Sequence, residues 1–79
     1  MSSVLVEELA RRLVDEPDAV RVEREEHDDA VVILLHVAAD DVGKVIGRQG
    51  RIARALRQLV RASAGRTRKR VLLEIAEPE

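Results

Sequence analysis

Cysteine, phenylalanine, tyrosine and tryptophan are all absent from this 79-residue chain. Without cysteine there is no disulfide framework, no thiolate metal site and no cysteine nucleophile, so packing alone must hold the fold. Without aromatic rings, any nucleic-acid surface here must work without stacking bases on side chains. Proline and glycine together number only six, too few for a disordered or low-complexity chain. No apolar run approaches the ~20 residues that span a bilayer. The first apolar stretch carries Glu7 and Glu8 and no basic segment precedes it, which argues against a signal peptide. The expectation is a soluble, cytoplasmic protein with no membrane contact.

Apolar residues make up 46% of the chain, enough for one small globular domain over residues 1–79. A chain of this size buries roughly 60% of the surface its unfolded form exposes, so its stability is expected to be marginal.

The net charge of −1 conceals a sharp division. Residues 1–41 hold 12 acids and 4 bases, residues 42–73 hold 10 bases and no acid, and residues 74–79 hold three acids. A run of +10 without one negative charge is an electrostatic footprint for a polyanion, whatever the overall pI. The competing explanation is a solvated helix face balanced by acidic neighbours.

Ser2 and Ser3 are placed to cap a helix in which Leu5, Leu9 and Leu13 recur at i, i+4 and i+8, joined by Val6, Ala10 and Val14. Glu7 and Glu8 precede Arg11 and Arg12, which suits the helix dipole. Asp15-Glu16-Pro17-Asp18 ends it. Residues 19–25 alternate as a half-buried strand, Glu26-His27-Asp28-Asp29 turn, and residues 30–38 give a β-branched run apolar enough for the centre of a sheet. The two strands should form a hairpin. His27 and His36 lack any carboxylate spacing that would make a metal site and are expected to be structural or solvent-facing.

Asp40 or Asp41 is expected to cap a short helix over residues 42–46. Gly47-Arg48-Gln49-Gly50 then interrupts the apolar pattern as a tight turn between two helices. In the helix that follows, Ile52, Ala55, Leu56, Leu59 and Val60 fall on one half, while Arg51, Arg54, Arg57, Gln58 and Arg61 fall on the other. Gly65 suits a helix C′ position, residues 66–70 form a basic loop, and Val71, Leu73 and Ile75 alternate into a last strand, with residues 77–79 a frayed tail. A strand returning after two helices should lie parallel to the one it left. The expected architecture is α+β, in the order α-β-β-α-α-β, with a three-stranded mixed sheet and the helices on one face.

The glycine turn is not a Walker A loop, since no glycine is followed by Lys and then Ser or Thr, and Gly43, Gly47 and Gly50 do not have dinucleotide-fold spacing. No nucleophile stands beside a base, and no paired carboxylates suggest a pocket. Neither an enzyme, a cofactor nor a small-molecule substrate is indicated. An electrostatic clamp on a single-stranded backbone fits better. Glycine at both corners removes side chains that would keep a phosphate away, and the helix beginning near Gly50 directs its free N–H groups to the same place. Lys44, Arg48, Arg51 and Arg54 would neutralise phosphates. Bases would lie between the short helix and the sheet, read by backbone groups of the central strand.

The stretch Val45-Ile46-Gly47-Arg48-Gln49-Gly50-Arg51-Ile52 resembles the signature of the KH domain, whose Gly-x-x-Gly loop clamps about four nucleotides of RNA backbone. The element order resembles the type II arrangement. With residues 41–57, the chain length and the ending Lys69-Arg70-Val71-Leu72-Leu73-Glu74-Ile75, the likeness extends to the small bacterial KH proteins of the KhpA type. The resemblance implies RNA binding through Lys44, Gly47, Arg48, Gln49, Gly50, Arg51 and Arg54. It also implies action as a chaperone or post-transcriptional regulator, and pairing as a homodimer or with a larger KH-containing partner of the Jag type. KH grooves are largely aliphatic, so the missing aromatics do not conflict with it.

Two other readings compete. In one, the Arg51, Arg54, Arg57 and Arg61 face docks an acidic protein and the glycine turn is structural. In the other, a helix-turn-helix reads DNA, but that fold normally has a trihelical core rather than three strands.

Overall fold

The computed structural model describes residues 2–63 and 69–77. Helix α1 (Ser2–Leu13) leads through a 3-10 turn at Pro17–Ala19 to strands β1 (Arg21–Glu26) and β2 (Ala30–His36). A second 3-10 turn (Ala39–Asp41) enters the short helix α2 (Val42–Ile46), and a third (Arg48–Gly50) separates it from α3 (Arg51–Ser63). Strand β3 (Arg70–Ile75) closes the sheet. Gly65, the expected helix stop, and residues 66–68 of the basic loop lie outside the described residues, as do Pro78 and Glu79 of the tail.

The sheet order is β1-β2-β3. β1 and β2 pair antiparallel, with Arg24 opposite Ile33, and β2 and β3 pair parallel, with Ile33 opposite Leu73. The central place of β2 follows from its composition. Val31, Ile33 and Leu35 are buried, while Val32, Leu34 and His36 are half-buried on the opposite face. A strand apolar on both faces gains most where both edges are also paired. β1 is charged at most positions and exposed except at Val22, a composition suited to a sheet edge.

The core joins Val6 and Ala10 of α1, Val45 of α2, and Leu56 and Val60 of α3 to Val20, Ile33, Leu35 and Leu73. The helices thus cover one sheet face and leave the other open. Two helix seams differ from those the apolar spacing predicts. On α1, Val6 and Ala10 are fully buried while Leu13 is 38% exposed, because the smaller pair lets the helix approach the sheet closely. On α3, Ala53 is buried in place of Ala55, and Leu59 is 45% exposed. At 100° per residue, this turns the buried stripe by roughly 45° from the one the apolar residues alone mark. The helix α1 also includes Ser2 and Ser3 instead of starting after them.

Asp41 departs most from expectation. Its side chain makes no capping hydrogen bond to α2. The carboxylate is instead 1% exposed and accepts the main-chain N–H groups of Asp15 at 3.1 Å and Glu16 at 3.0 Å. The end of α1 is thereby fastened to the start of α2. The Asp15 and Glu16 N–H groups engage both carboxylate oxygens, where an N-cap bond to α2 would use one.

Candidate nucleic-acid interface

The turn between α2 and α3 is built around three left-handed or glycine-only backbone conformations. Gly47 has φ 76 and ψ 174, Gln49 φ 55 and ψ 24, and Gly50 φ 74. The two glycines serve different needs. A Cβ on Gly47 would stand 2.6 Å from Ile52 Cγ1, whereas one on Gly50 would meet nothing within 4 Å. Gly47 therefore lets the turn fold back onto Ile52, and only Gly50 leaves clearance toward solvent, where the sequence pattern suggests clearance at both.

The main-chain N–H of Gly50 donates to the Gly47 carbonyl at 3.2 Å, and that of Arg51 donates to Arg48. These amides, expected to be free at the helix start, are spent on the turn itself. The amides of Arg48 and Gln49 lie between the two glycine corners, at the tip of the turn. Arg48 is helical and Gln49 left-handed, a succession that turns neighbouring N–H groups to one side. Arg48 and Gln49 are exposed.

Arg51 and Arg54 are also exposed, and both reach back to the turn. Arg51 Nη2 lies 3.5 Å from Gln49 Oε1, and Arg54 Nη2 donates to the Gln49 carbonyl at 2.9 Å. Six of the seven predicted site residues are thus together at one tip. Lys44 is engaged elsewhere. Its ammonium donates to Asp15 at 2.7 Å and to Asp41 at 3.2 Å, and these two carboxylates hold it above the ordinary 10.5. Burial pushes the Asp41 carboxyl up, but the Asp15 and Glu16 N–H groups and Lys44 outweigh it and keep the group below 3.8.

Beyond the turn, α3 packs along β3. Arg57 Nε donates to the Leu73 carbonyl at 3.3 Å. A groove of about 310 Å³ opens there, lined by Arg57, Arg61, Val71, Leu72, Leu73 and Glu74. The groove corrects the expected base-reading strand. β2 is paired along both edges, so its backbone groups are used up, and the strand with a free edge beside α3 is β3. The acid-free charge run marks Arg57 and Arg61 as neighbours on one helix face, but the sheet order that sets β3 against them lies beyond any local pattern.

His27 Nε2 lies 3.7 Å from Glu25 and His36 Nε2 lies 3.6 Å from Glu23. Among the described residues no three or more His, Cys, Asp or Glu side chains are grouped to hold a metal ion, and no helix is long and apolar enough to cross a membrane.

An α-β-β-α-α-β chain with a mixed sheet and a Gly-x-x-Gly turn between its second and third helices defines a type II-like KH domain. The family model for the KhpA/KhpB KH domain matches residues 3–75. The chain is 52% identical over 71 residues to a Caldanaerobacter subterraneus protein, covering 90% of this chain and 95% of the relative. It is 53% identical over 75 residues to one from Halalkalibacterium halodurans, covering 92% and 96%. A Treponema pallidum relative is 47% identical over 77 residues, covering 98% and 96%. Each of the three is named RNA-binding protein KhpA. No solved structure gives a significant match. The chain belongs to the KhpA/KhpB KH-domain family.

Proposed function

We propose that this chain binds single-stranded RNA and holds its sugar-phosphate backbone at the turn Gly47-Arg48-Gln49-Gly50. The observation that carries this reading is the exposed pair Arg48 and Gln49, helical and left-handed in succession so that their main-chain N–H groups turn to one side, at the tip of a basic helix. A phosphate oxygen accepts from these N–H groups, while Arg48 and Arg51 supply charge. Bases following the clamped phosphate lie along the α3–β3 groove, where Val71, Leu72 and Leu73 give an aliphatic floor and the free edge of β3 offers hydrogen-bonding groups. Lys44, ion-paired to Asp15 and Asp41, contributes by fixing α2. The relatives' names support RNA as the nucleic acid.

With one clamp and few phosphate contacts, base discrimination is weak, which suits an RNA chaperone or post-transcriptional regulator acting on many transcripts in the cytoplasm. The exposed Leu59 and Val4 leave apolar surface for a second copy or a larger KH-containing partner.

The test is the double variant Arg48→Asp, Gln49→Asp in an RNA-binding titration. Two carboxylates beside the N–H pair repel phosphate without touching the core, so RNA binding should be lost while the far-ultraviolet spectrum is unchanged. Wild-type affinity in the double variant would overturn the clamp. Protein partners retained by that variant, with no RNA crosslinked to the wild type in cells, would favour a docking module.

A further inference from the structure

Among the described residues, Gln49 is the only one other than glycine with a positive φ. The left-handed region is disfavoured for any residue carrying a Cβ, and an exposed side chain has no packing to enforce it. The conformation must be held through the main chain.

The peptide unit that joins Gln49 to Gly50 is held at both ends. Its N–H donates to the Gly47 carbonyl at 3.2 Å, and its carbonyl accepts Arg54 Nη2 at 2.9 Å. Fixing that plane sets ψ of Gln49 and φ of Gly50 together, two of the torsions that give the turn its left-handed course. The hydrogen bond to Gly47 is part of the turn. The one from Arg54 comes from the first turn of α3 and ties the loop to a rigid helix.

We propose that Arg54 is a positioning residue of the RNA clamp, not one of its phosphate ligands. Its guanidinium holds the Gln49 carbonyl, so the preceding Arg48 and Gln49 N–H groups stay aimed at one phosphate. Arg48 and Arg51 carry the electrostatic contact. This assignment rests on the clamp reading of the turn, and the experiment separates the two.

Binding of a short oligouridylate RNA is measured across a salt series for the wild type and Arg54→Gln, each with and without Gln49→Gly. A lost phosphate contact reduces the slope of log affinity against log salt by about 0.7 for single strands. A lost positioning contact weakens binding by about three- to tenfold, within the range of one hydrogen bond to a charged group, and leaves the slope unchanged. Glycine adopts the left-handed conformation without strain, so in the Gln49→Gly background Arg54→Gln should change affinity less than about twofold. In the absence of RNA, exchange of the Gly50 amide should be faster in Arg54→Gln than in the wild type, and this difference should vanish in the Gln49→Gly background.

A slope lowered by Arg54→Gln in both backgrounds, or an unaltered Gly50 amide, overturns the assignment. If the wild type binds no oligouridylate, the clamp reading fails, and the amide measurement alone still decides whether Arg54 holds the turn.

Discussion

The Asp41 carboxylate accepts the main-chain N–H of Asp15 across 26 positions of sequence, with Glu16 beside it on the other oxygen. This one side chain joins the first helix to the element that carries the glycine turn. Asp41→Ala leaves both N–H groups without their acceptor and Lys44 with Asp15 alone, and unpaired polar groups cost more than the bond itself gains. We expect the unfolding midpoint to fall by about 5 °C or more for a domain of this size. Thermal melts followed by circular dichroism check it. An unchanged midpoint would mean that the fastening contributes nothing.

The same cluster predicts how stability varies with pH. Asp41 is held below its ordinary 3.8, so its contribution is present above that value and lost as pH falls through the folded pKa. Lys44 is held above 10.5, so its contribution is present below that value and lost as pH rises through the folded pKa. Between them the contribution is flat. The gap in melting temperature between wild type and Asp41→Ala should therefore be constant at neutral pH and close in strong acid. A gap that persists below the folded pKa would rule out the carboxylate as its source.

Gly47 and Gly50 should respond differently to alanine. Gly47→Ala meets both a backbone region open essentially to glycine alone and the Ile52 side chain, and we expect a loss of about 2–4 kcal/mol. Gly50→Ala meets only the torsional penalty and should cost about 1–2 kcal/mol, with the larger share of its effect on RNA affinity. Urea titrations of the two variants give the order, and equal losses would remove the packing role assigned to Gly47.

The clamp predicts a shallow salt dependence. Two to four neutralised phosphates give a slope of log affinity against log salt between about −1.4 and −2.8 for a single strand. A much steeper slope would mean that Arg57 and Arg61 act as further phosphate ligands along the groove.

Residues alone reveal what depends on neighbours in sequence. The run Val31-Val32-Ile33-Leu34-Leu35 is apolar in every register, so its central place is legible. Two helices between it and Val71 make the parallel return legible too. The glycine turn stands out because positive φ leaves few residues to choose from. Asp41 misleads because capping is the local use of an aspartate before a helix, and nothing in sequence announces N–H groups 25 residues away. Ala53 and Ala55 differ by nothing but position, and only the elements packed around α3 choose between them. The role of β3 depends on which strand edge stays open, a property of the whole sheet.

β1, whose Glu23 and Glu26 are ion-paired within the strand to Arg21 and Arg24, is one edge, and β3 with the arginines of α3 lies at the other. A molecule with a pI near 6.1 therefore still presents one locally basic side, where the exposed arginines of α3 stand beside the free edge of β3. In the field of a polyanion it turns before it touches, arriving basic side first. Its association should slow with added salt far more than its net charge suggests, and it should be retained on cation exchangers at pH values where a charge count predicts flow-through.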